Sequence, residues 1–287
     1  MPVKASFALL AGFLSLILLQ APAGAQSQQV IINRTADSTL SKQALQKIRS
    51  MDNNLFDAAA FTGNDGIEIR YRLFKPRAKN SAAQYPLVVV FHGSGAIGTD
   101  NTAQLGLLPK LFAGADNQDS YPAYVLAPQF PARSSDYVPD SSRNVLVSVP
   151  GPCLQPVLLL IDSLKRHLNI DSKRIYAVGY SMGASTVINA LSARPDLFAT
   201  GISIAGIPQF SESEQLRSIP LWLIHGIDDA ENKISSDERF YKELHSRNNI
   251  LFWKLKETTH DNIFSTQLLG ETLPQWLFKQ QKNRHRY

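Results

Sequence analysis

The feature that most constrains the fold is the stretch from Arg174 to Leu191, RIYAVGYSMGASTVINAL. Its β-branched and aromatic part, Ile175 to Val178, predicts a buried strand, and the small residues from Ala184 onward predict a helix. Between them, GYSMG matches the G-x-S-x-G turn in which a strand breaks into a helix and exposes a serine. Glycines suit a strained turn where two backbones nearly touch. The stretch predicts an α/β sheet with a nucleophile, Ser181, at the end of one strand.

The N-terminal residues show the succession of segments that is typical of a cleavable secretory signal peptide. Lys4 precedes a mostly apolar run from Phe7 to Leu19, and the small residues Ala23, Gly24 and Ala25 stand before a polar stretch. A membrane-spanning helix needs about 20 apolar residues, so this run is too short to anchor the chain stably. We expect cleavage after Ala25 and a secreted or periplasmic mature protein.

Composition sets limits on the rest of the chain. Residues 26–287 suffice for one large α/β domain, and we expect a polar, partly helical extension over 26–62 before a catalytic domain over 63–287. The formal charge is +5, but the basic residues are scattered, so no nucleic-acid partner is expected. Cys153 is the single cysteine and forms no disulfide within the chain, so packing must stabilise the fold. The sequence specifies no oligomeric state.

Strands and helices are predicted to alternate. Residues 67–74 read as an edge strand, 87–91 as a strand buried on both faces, and 123–127, 200–205, 220–224 and 250–255 as further strands. Residues 104–112, 154–168, 235–246 and 270–279 read as helices. The segment 129–152 is rich in proline and serine and lacks periodicity, so we expect a long loop that forms a wall of the pocket. The alternation indicates a mostly parallel sheet with helices on both faces.

A serine attacks a carbonyl only when a base takes its proton and a third group holds the base. In this type of sheet the carboxylate and then the histidine follow the serine, each at the end of a later strand. Of the six histidines, His260 lies in a polar loop before the closing helix, where the base belongs. The strand before it ends in two adjacent carboxylates, Asp228 and Asp229, and spacing leaves both open.

An acyl-transfer site also needs two backbone N–H groups that stabilise a negative oxygen. One should belong to Met182, directly after the serine, and the other to the loop His92-Gly93-Ser94-Gly95 that follows the first buried strand. The alternative is that this loop merely turns a corner. Candidates for substrate contacts are His92, Tyr180, Arg133, Tyr137 and Arg143. For Arg133, Tyr137 and Arg143 the alternative is that they are solvated loop residues.

These pieces resemble the α/β-hydrolase superfamily, and within it the esterase and phospholipase/carboxylesterase-like "predicted peptidase" branch. The similarity covers most of the chain after the signal and is most specific from Ile170 to Gly206, with GIEIRYRLFKP, PLVVVFHGSGAIGTDNTAQL and LAPQF as earlier matches. Relatives usually carry His-Gly-x-x-Asp with a catalytic last residue, which implies Asp229 rather than Asp228. Two departures are Ala184, where many relatives have glycine, and the lack of a tryptophan soon after LAPQF, which leaves substrate choice open.

The resulting hypothesis is an exported serine esterase that cleaves small-molecule carboxylic esters through an acyl-enzyme. Ser181 attacks, His260 transfers the proton, Asp229 orients the imidazole, and the amides of Met182 and Ser94 stabilise the oxyanion. No metal and no organic cofactor are implied. The alternatives are a serine peptidase of the same fold and a noncatalytic binding protein with this fold. The acyl and alcohol parts of the substrate are not specified by the sequence.

Overall fold

The structure is a computed structural model that describes residues 27–34, 36–76, 83–246 and 249–282. The expected signal and its cleavage site lie outside the described residues and stay predictions. Within the described ranges, no helix has both the length and the apolar character needed to span a bilayer.

The described residues form eleven strands and eight α-helices. The strands are β1 Gln28–Ile32, β2 Asp57–Thr62, β3 Glu68–Phe74, β4 Tyr85–Phe91, β5 Tyr124–Gln129, β6 Ser135–Asp140, β7 Val145–Pro150, β8 Ile170–Tyr180, β9 Thr200–Ile204, β10 Leu221–Gly226 and β11 Ile250–Leu255. The helices are α1 Thr39–Arg49, α2 Leu107–Ala113, α3 Ala115–Ser120, α4 Leu154–His167, α5 Met182–Ala193, α6 Ser235–Leu244, α7 Thr266–Leu269 and α8 Thr272–Phe278.

Nine of these strands form one sheet in the order β1-β11-β10-β9-β8-β4-β5-β3-β2. Neighbours run parallel, except that β3 is antiparallel to both β2 and β5. The progression of strands changes direction around β4, and sites in such sheets form beyond the carboxyl ends of the strands near such a point. The expected mostly parallel sheet is confirmed, and β4 and β8 bring their following loops together at that edge.

Strand β4 shows why helices cover both faces of the sheet. Leu87, Val89 and Phe91 belong to one apolar cluster, together with residues of α4, α5 and α6. Val88 and Val90 belong to the opposite cluster, with residues of α1, α2 and α8. Side chains alternate along a strand, so an unbroken apolar run needs a core on each side. Burying each of these side chains contributes about 1.5–3 kcal/mol, which holds the loop after β4 on a firm support.

The segment 129–152, expected to be a loop, instead forms a hairpin of β6 and β7 that packs on α5. Its contacts with α5 are polar: the Asn189 amide donates to Ser135 Oγ at 2.9 Å, and Ser148 donates to Asn189 Oδ1 at 2.9 Å. Such strands lack a continuous apolar face, and Val138, Leu146 and Val149 are exposed. The prediction of a loop was wrong because tertiary hydrogen bonds, not local pattern, define the hairpin.

The residues expected to form an outer extension supply both edge strands of the sheet. Strand β1 pairs in parallel with β11, and β2 pairs with β3. The expected edge strand over 67–74, found as β3, therefore lies inside the sheet between β2 and β5. The pairing of β1 joins residues more than 200 positions apart, which no local pattern reveals. The sheet thus continues across the boundary expected near residue 62.

Candidate active site

Ser181 lies in a sharp turn between β8 and α5. Its φ of 57° and ψ of −123° are values that a residue with a side chain rarely adopts. A Cβ atom on Gly179 would overlap the carbonyl oxygen of Gly183, and one on Gly183 would overlap that of Phe91. Because these neighbours are backbone atoms of packed elements, they cannot move aside cheaply. The close approach of β8, α5 and β4 therefore depends on both glycines and keeps Ser181 in its strained conformation.

Ser181, His260 and Asp229 form a continuous hydrogen-bonded line. The Oγ of Ser181 is 2.9 Å from Nε2 of His260, and Nδ1 of His260 is 2.7 Å from Oδ2 of Asp229. With the carboxylate ionised, Nδ1 carries the proton and donates it, which leaves Nε2 free to accept from the serine hydroxyl. His260 is buried, so water competes little for these bonds. This arrangement can remove the proton from Ser181 as its oxygen attacks.

Asp229 is held as an anion by contacts on both oxygens. Its Oδ1 accepts the backbone N–H groups of Glu231 and Asn232, each at 2.9 Å. Burial raises the pKa of Asp229, but hydrogen bonds with His225 and His260 outweigh burial and lower it to about 2. The carboxylate is therefore charged throughout the physiological range and can orient and stabilise the imidazole.

Asp228, the adjacent alternative, has a different environment. Its side chain is exposed, and its backbone N–H donates to the carbonyl of Thr258 at 3.0 Å. This bond ties the turn after β10 to the loop that carries His260. The structure therefore brings Asp229, and not Asp228, to the imidazole.

The loop after β4 is anchored by His92. The Phe130 amide donates to Nε2 of His92 at 2.9 Å, so Nδ1 carries the proton and faces the carbonyl of Gly93 at 2.7 Å. Burial lowers the pKa of His92 and keeps the ring neutral. Its carbons line an apolar cleft, but both nitrogens are used inside the protein. The structure thus gives His92, expected to contact substrate, the task of positioning the loop.

Two backbone amides lie at the starts of helical turns beside the nucleophile. Met182 is the first residue of α5, and Ser94 is the first residue of a short 3₁₀ turn that ends at Ala96. The first N–H groups of a helical turn have no carbonyl partner within the turn, and they carry partial positive charge. A Cβ on Gly93 would lie 3.5 Å from Cβ of Ser181, so this loop packs against the nucleophile. The arrangement can receive a negative oxygen.

Tyr180 supports the loop that carries His260. Its hydroxyl donates to the carbonyl of His260 at 3.0 Å, and its ring centroid lies 5.0 Å from the imidazole and 4.9 Å from the ring of Phe264. Tyr180 was expected to contact substrate; its ring does line the apolar cleft, while its polar atom is engaged with the loop. This supporting contact was not visible in the sequence, since it joins two segments 80 residues apart.

Arg133, Tyr137 and Arg143, the remaining candidates for substrate contacts, lie on the hairpin or its turns and bond within the protein. Arg133 bonds to Asp136 at 3.1 Å, and Tyr137 bonds to Ser185 at 3.1 Å. Arg143 bonds to Asp140 at 2.7 Å and to Glu243 at 3.1 Å. The bonds of Tyr137 and Arg143 fasten the hairpin to α5 and α6, whereas that of Arg133 stays within the hairpin region. The described hydrogen bonds bring none of the three to Ser181.

Two clefts adjoin the catalytic line. An apolar cleft of about 230 Å³ is lined by the loop after β4, residues 103–109, Tyr180 and Phe264. A more polar cleft of about 370 Å³ lies between the β6–β7 hairpin and residues 231–236. Glu231 lines the polar cleft, and its Oε2 is 3.9 Å from Nε2 of His260. The polar cleft therefore opens beside the nitrogen that is hydrogen-bonded to Ser181.

Sequence reasoning also passed over three buried polar residues, His225, Asn232 and Asp237. Nδ1 of His225 is 2.7 Å from Oδ2 of Asp237, and the Asn232 amide donates to the carbonyl of Ala205 at 2.8 Å. The position of His225 four residues before Asp229 was the available signal. In the ranges that the structure covers, no group of three or more His, Cys, Asp or Glu side chains is arranged to hold a metal ion.

Comparisons with known proteins agree with this architecture. The model of the Prolyl oligopeptidase family matches residues 153–249, which include Ser181 and Asp229. A solved thermostable esterase is 30% identical, with a TM-score of 0.72 over 80% of this chain and 64% of that chain. Est1E from Butyrivibrio proteoclasticus has a TM-score of 0.55 over 77% of this chain and 98% of that chain; at 14% identity, the likeness concerns the fold alone.

A segment of the chain is also similar to a bifunctional acetylxylan esterase/xylanase from Neocallimastix patriciarum, 33% identical over 88 residues. These residues are 31% of this chain and 13% of that protein. The chain thus spans 64% of the thermostable esterase and a small part of the acetylxylan esterase/xylanase. The sheet order and the solved relatives show that the chain has the α/β-hydrolase fold, and the proteins it is similar to are esterases and peptidases.

Proposed function

We propose that the protein is an exported serine hydrolase that cleaves carboxylic esters through an acyl-enzyme on Ser181. The observation that carries this proposal is the line from Ser181 through His260 to Asp229, with distances of 2.9 and 2.7 Å, at a strained turn beside the backbone amides that begin two helical turns. The 30% identity with a thermostable esterase supports an ester as substrate.

In the proposed reaction, Oγ of Ser181 attacks the ester carbonyl carbon while Nε2 of His260 takes the hydroxyl proton. The carbonyl oxygen becomes negative and accepts N–H bonds from Met182 and Ser94, each worth about 2.7–4 kcal/mol of barrier. The C–O bond to the alcohol then breaks, and the imidazolium returns its proton to the leaving oxygen. A water molecule, activated by the same base, hydrolyses the acyl-enzyme and restores the serine.

The polar cleft is the proposed site of the alcohol, because the leaving oxygen must lie within reach of Nε2 of His260. Its lining offers several hydrogen-bonding side chains: Asp140, Ser141, Asn144, Lys233, Ser235 and Ser236. This lining suits a hydroxyl-rich alcohol such as a sugar, and the similarity to a segment of an acetylxylan esterase/xylanase points to an acetylated sugar as a candidate. The apolar cleft is the proposed site of the acyl group.

A serine peptidase is the second candidate, because the matching family model is that of the prolyl oligopeptidases. The same residues would then attack an amide, and His260 would protonate an amine. Rates with p-nitrophenyl esters and with aminoacyl p-nitroanilides separate the two. We expect efficient ester cleavage; a higher kcat/KM for the anilides would establish the peptidase instead.

The test uses residues 26–287 and p-nitrophenyl esters from acetate to octanoate, together with acetylated xylo-oligosaccharides. Ser181→Ala should remain folded and lose at least about a thousandfold in kcat, since the nucleophile is gone. Ser94→Ala is the matched control, because it removes a hydroxyl and keeps the backbone N–H that would hold the oxyanion. Turnover retained by Ser181→Ala would refute the assignment. Export is tested separately: the N-terminus of the full-length chain after expression in a secreting bacterium should be Gln26.

A further inference from the structure

Behind Asp229 lies a second histidine, His225, which is completely buried between two carboxylates. Its Nδ1 is 2.7 Å from Oδ2 of Asp237, and its Nε2 is 3.3 Å from Oδ2 of Asp229 and 2.7 Å from the carbonyl oxygen of Asn232. The side chains of both aspartates have no exposed surface. The same Oδ2 of Asp229 contacts His260 at 2.7 Å. One carboxylate oxygen of the catalytic line therefore lies between two imidazole rings.

The partners of His225 determine where its protons lie. The Asn232 carbonyl only accepts hydrogen bonds, so Nε2 carries a proton. A second proton must lie in the short bond between Nδ1 and Asp237, either on the nitrogen, as an imidazolium facing a carboxylate, or on the oxygen. The other oxygen of Asp237 has no hydrogen-bond partner among the described residues. His225 is thus the group that compensates this buried carboxyl.

The charge of Asp229 and the dipole of helix α6 favour the imidazolium form of His225. Asp229 approaches His225 from the Nε2 side, nearer to the ring than to Asp237, so its negative charge attracts the proton more than it repels the second carboxylate. Asp237 lies in the first turn of α6, where the helix dipole favours an anion. Burial opposes charge on His225, but the hydrogen bonds with Asp229 and Asp237 outweigh burial and raise the pKa of His225 to about 9.

The other titratable groups around the pair are Glu238, Lys254 and Tyr137. Glu238 of α6 forms an ion pair with Lys254 of β11. Burial raises the pKa of Asp237, the hydrogen bond with His225 opposes this shift, and the charges of Asp229 and Glu238 add to it. Burial raises the pKa of Tyr137, which is therefore neutral.

We propose that His225 is a positioning residue that stays protonated between Asp237 and Asp229 and fixes Oδ2 of Asp229 beside Nδ1 of His260. A charged imidazolium attracts the carboxylate more strongly than a neutral ring does, so it holds this oxygen more firmly. The kinetic part of this inference rests on the proposed function; the protonation of His225 does not.

The protonation state is measured without any substrate. Mature protein containing ¹⁵N-labelled histidine is titrated by NMR from pH 6 to 10, and the signals of His225 are assigned by their loss in His225→Gln. We expect both ring nitrogens of His225 to remain protonated through pH 8 and to titrate near 9. A neutral ring at pH 7, with a proton on Nε2 alone, would overturn the proposal.

Stability gives a second readout with a definite sign. A histidine whose pKa rises on folding contributes stability that is complete below its unfolded pKa of about 6.5. This contribution is lost as the pH rises through the folded value of about 9. The Tm of the wild type should therefore fall between pH 6.5 and 9 more steeply than that of Asp237→Asn, in which His225 is neutral. Equal slopes would contradict a charged His225.

The kinetic test compares pH profiles of kcat/KM for p-nitrophenyl acetate. In Asp237→Asn the new amide donates to Nδ1, so His225 loses its charge while the side-chain shape is kept. The wild type should lose activity as the pH rises through about 9, where His225 loses its proton, and the variant should lack this basic limb, with kcat at the optimum within about fivefold of wild type. The charged groups that face His260 are Asp229 and Glu231, and both are unchanged in the variant.

Asp162→Asn is the matched control, because this half-buried aspartate pairs with Lys165 and Arg194 away from the site and should leave the profile unmoved. A uniform fall in kcat in Asp237→Asn with the basic limb retained would reduce His225 to a structural residue and overturn the proposal. If Asp237→Asn does not fold, the wild-type titration alone decides. A wild type that hydrolyses no ester contradicts the proposed function and leaves the NMR and Tm tests valid.

Discussion

Replacing Asp229 with asparagine would reverse the hydrogen bond to His260 while keeping the shape of the side chain. The two oxygens of Asp229 have different partners: Oδ1 accepts the N–H groups of Glu231 and Asn232, each at 2.9 Å, and Oδ2 faces Nδ1 of His260 at 2.7 Å. The carbonyl oxygen of the asparagine must take the place of Oδ1, because an NH₂ group there would face two donors. The NH₂ group therefore points at Nδ1. The imidazole proton then moves to Nε2, which can no longer accept the proton of Ser181.

The magnitude follows from the cost of turning the asparagine over. That flip would lose two hydrogen bonds of about 1 kcal/mol each and leave one buried donor, the Asn232 N–H, and one partly buried donor, the Glu231 N–H, without acceptors, at about 1–3 kcal/mol each. The sum is about 4 kcal/mol or more, which corresponds to roughly a thousandfold at 1.36 kcal/mol per decade. A tautomer change of this kind lowers kcat about 10⁴-fold in a serine protease triad. We expect kcat of Asp229→Asn to fall by about 10³- to 10⁴-fold.

The assay is the steady-state hydrolysis of p-nitrophenyl acetate at pH 7.5, with folded protein verified by circular dichroism. Asp228→Asn is the matched control: the same chemical change, one residue away, on an exposed side chain. We expect this control to stay within about twofold of wild type. A larger loss in Asp228→Asn than in Asp229→Asn, or a loss below tenfold in Asp229→Asn, would refute the reasoning.

Three further changes probe the surroundings of the site. Gly183→Ala places a Cβ against the carbonyl oxygen of Phe91, so urea denaturation should show a loss of about 3 kcal/mol or no folded protein; an unchanged midpoint would contradict the packing. Tyr180→Phe removes the hydrogen bond to the His260 carbonyl. We expect kcat to fall about three- to tenfold and the free energy of unfolding to fall by about 1 kcal/mol. An unaltered kcat would exclude a supporting role for the Tyr180 hydroxyl. Glu231→Gln removes a negative charge 3.9 Å from Nε2 of His260. The preference for esters of cationic over anionic alcohols should therefore fall about two- to fivefold at low salt. An unchanged preference would show that Glu231 does not face the leaving group.

Parts of the fold that obey local sterics could be predicted from the sequence. Strand β4 was expected over 87–91 and spans Tyr85–Phe91, because only a strand covered on both faces explains its unbroken apolar run. Helix α4 was expected over 154–168 and spans Leu154–His167. The turn at Ser181 was predictable because its G-x-S-x-G pattern is local and Gly179 is required by the backbone of Gly183, although Gly183 itself is required by a distant contact with Phe91.

Features that depend on distant contacts could not be predicted. The β6–β7 hairpin is defined by hydrogen bonds from Ser135 and Ser148 to α5, and neither serine carries a strand signal. The hydrogen bond between His225 and Asp237 requires α6 to pack its first turn on the end of β10. In the sequence, His225 ends a strand and begins the His-Gly-x-x-Asp motif, but Asp237 is one of several acidic residues in a helix, and nothing there pairs the two.

The most direct test of the account is whether Ser181 is an activated nucleophile. The mature protein is treated with a fluorophosphonate and digested with trypsin, which releases residues 175–217 as one peptide because Pro195 blocks cleavage after Arg194, and the adduct is located by fragmentation mass spectrometry. The account predicts a single adduct on Ser181, absent from Ser181→Ala and strongly reduced in Asp229→Asn. No adduct on the wild-type protein, or an adduct on a serine other than Ser181, would contradict it.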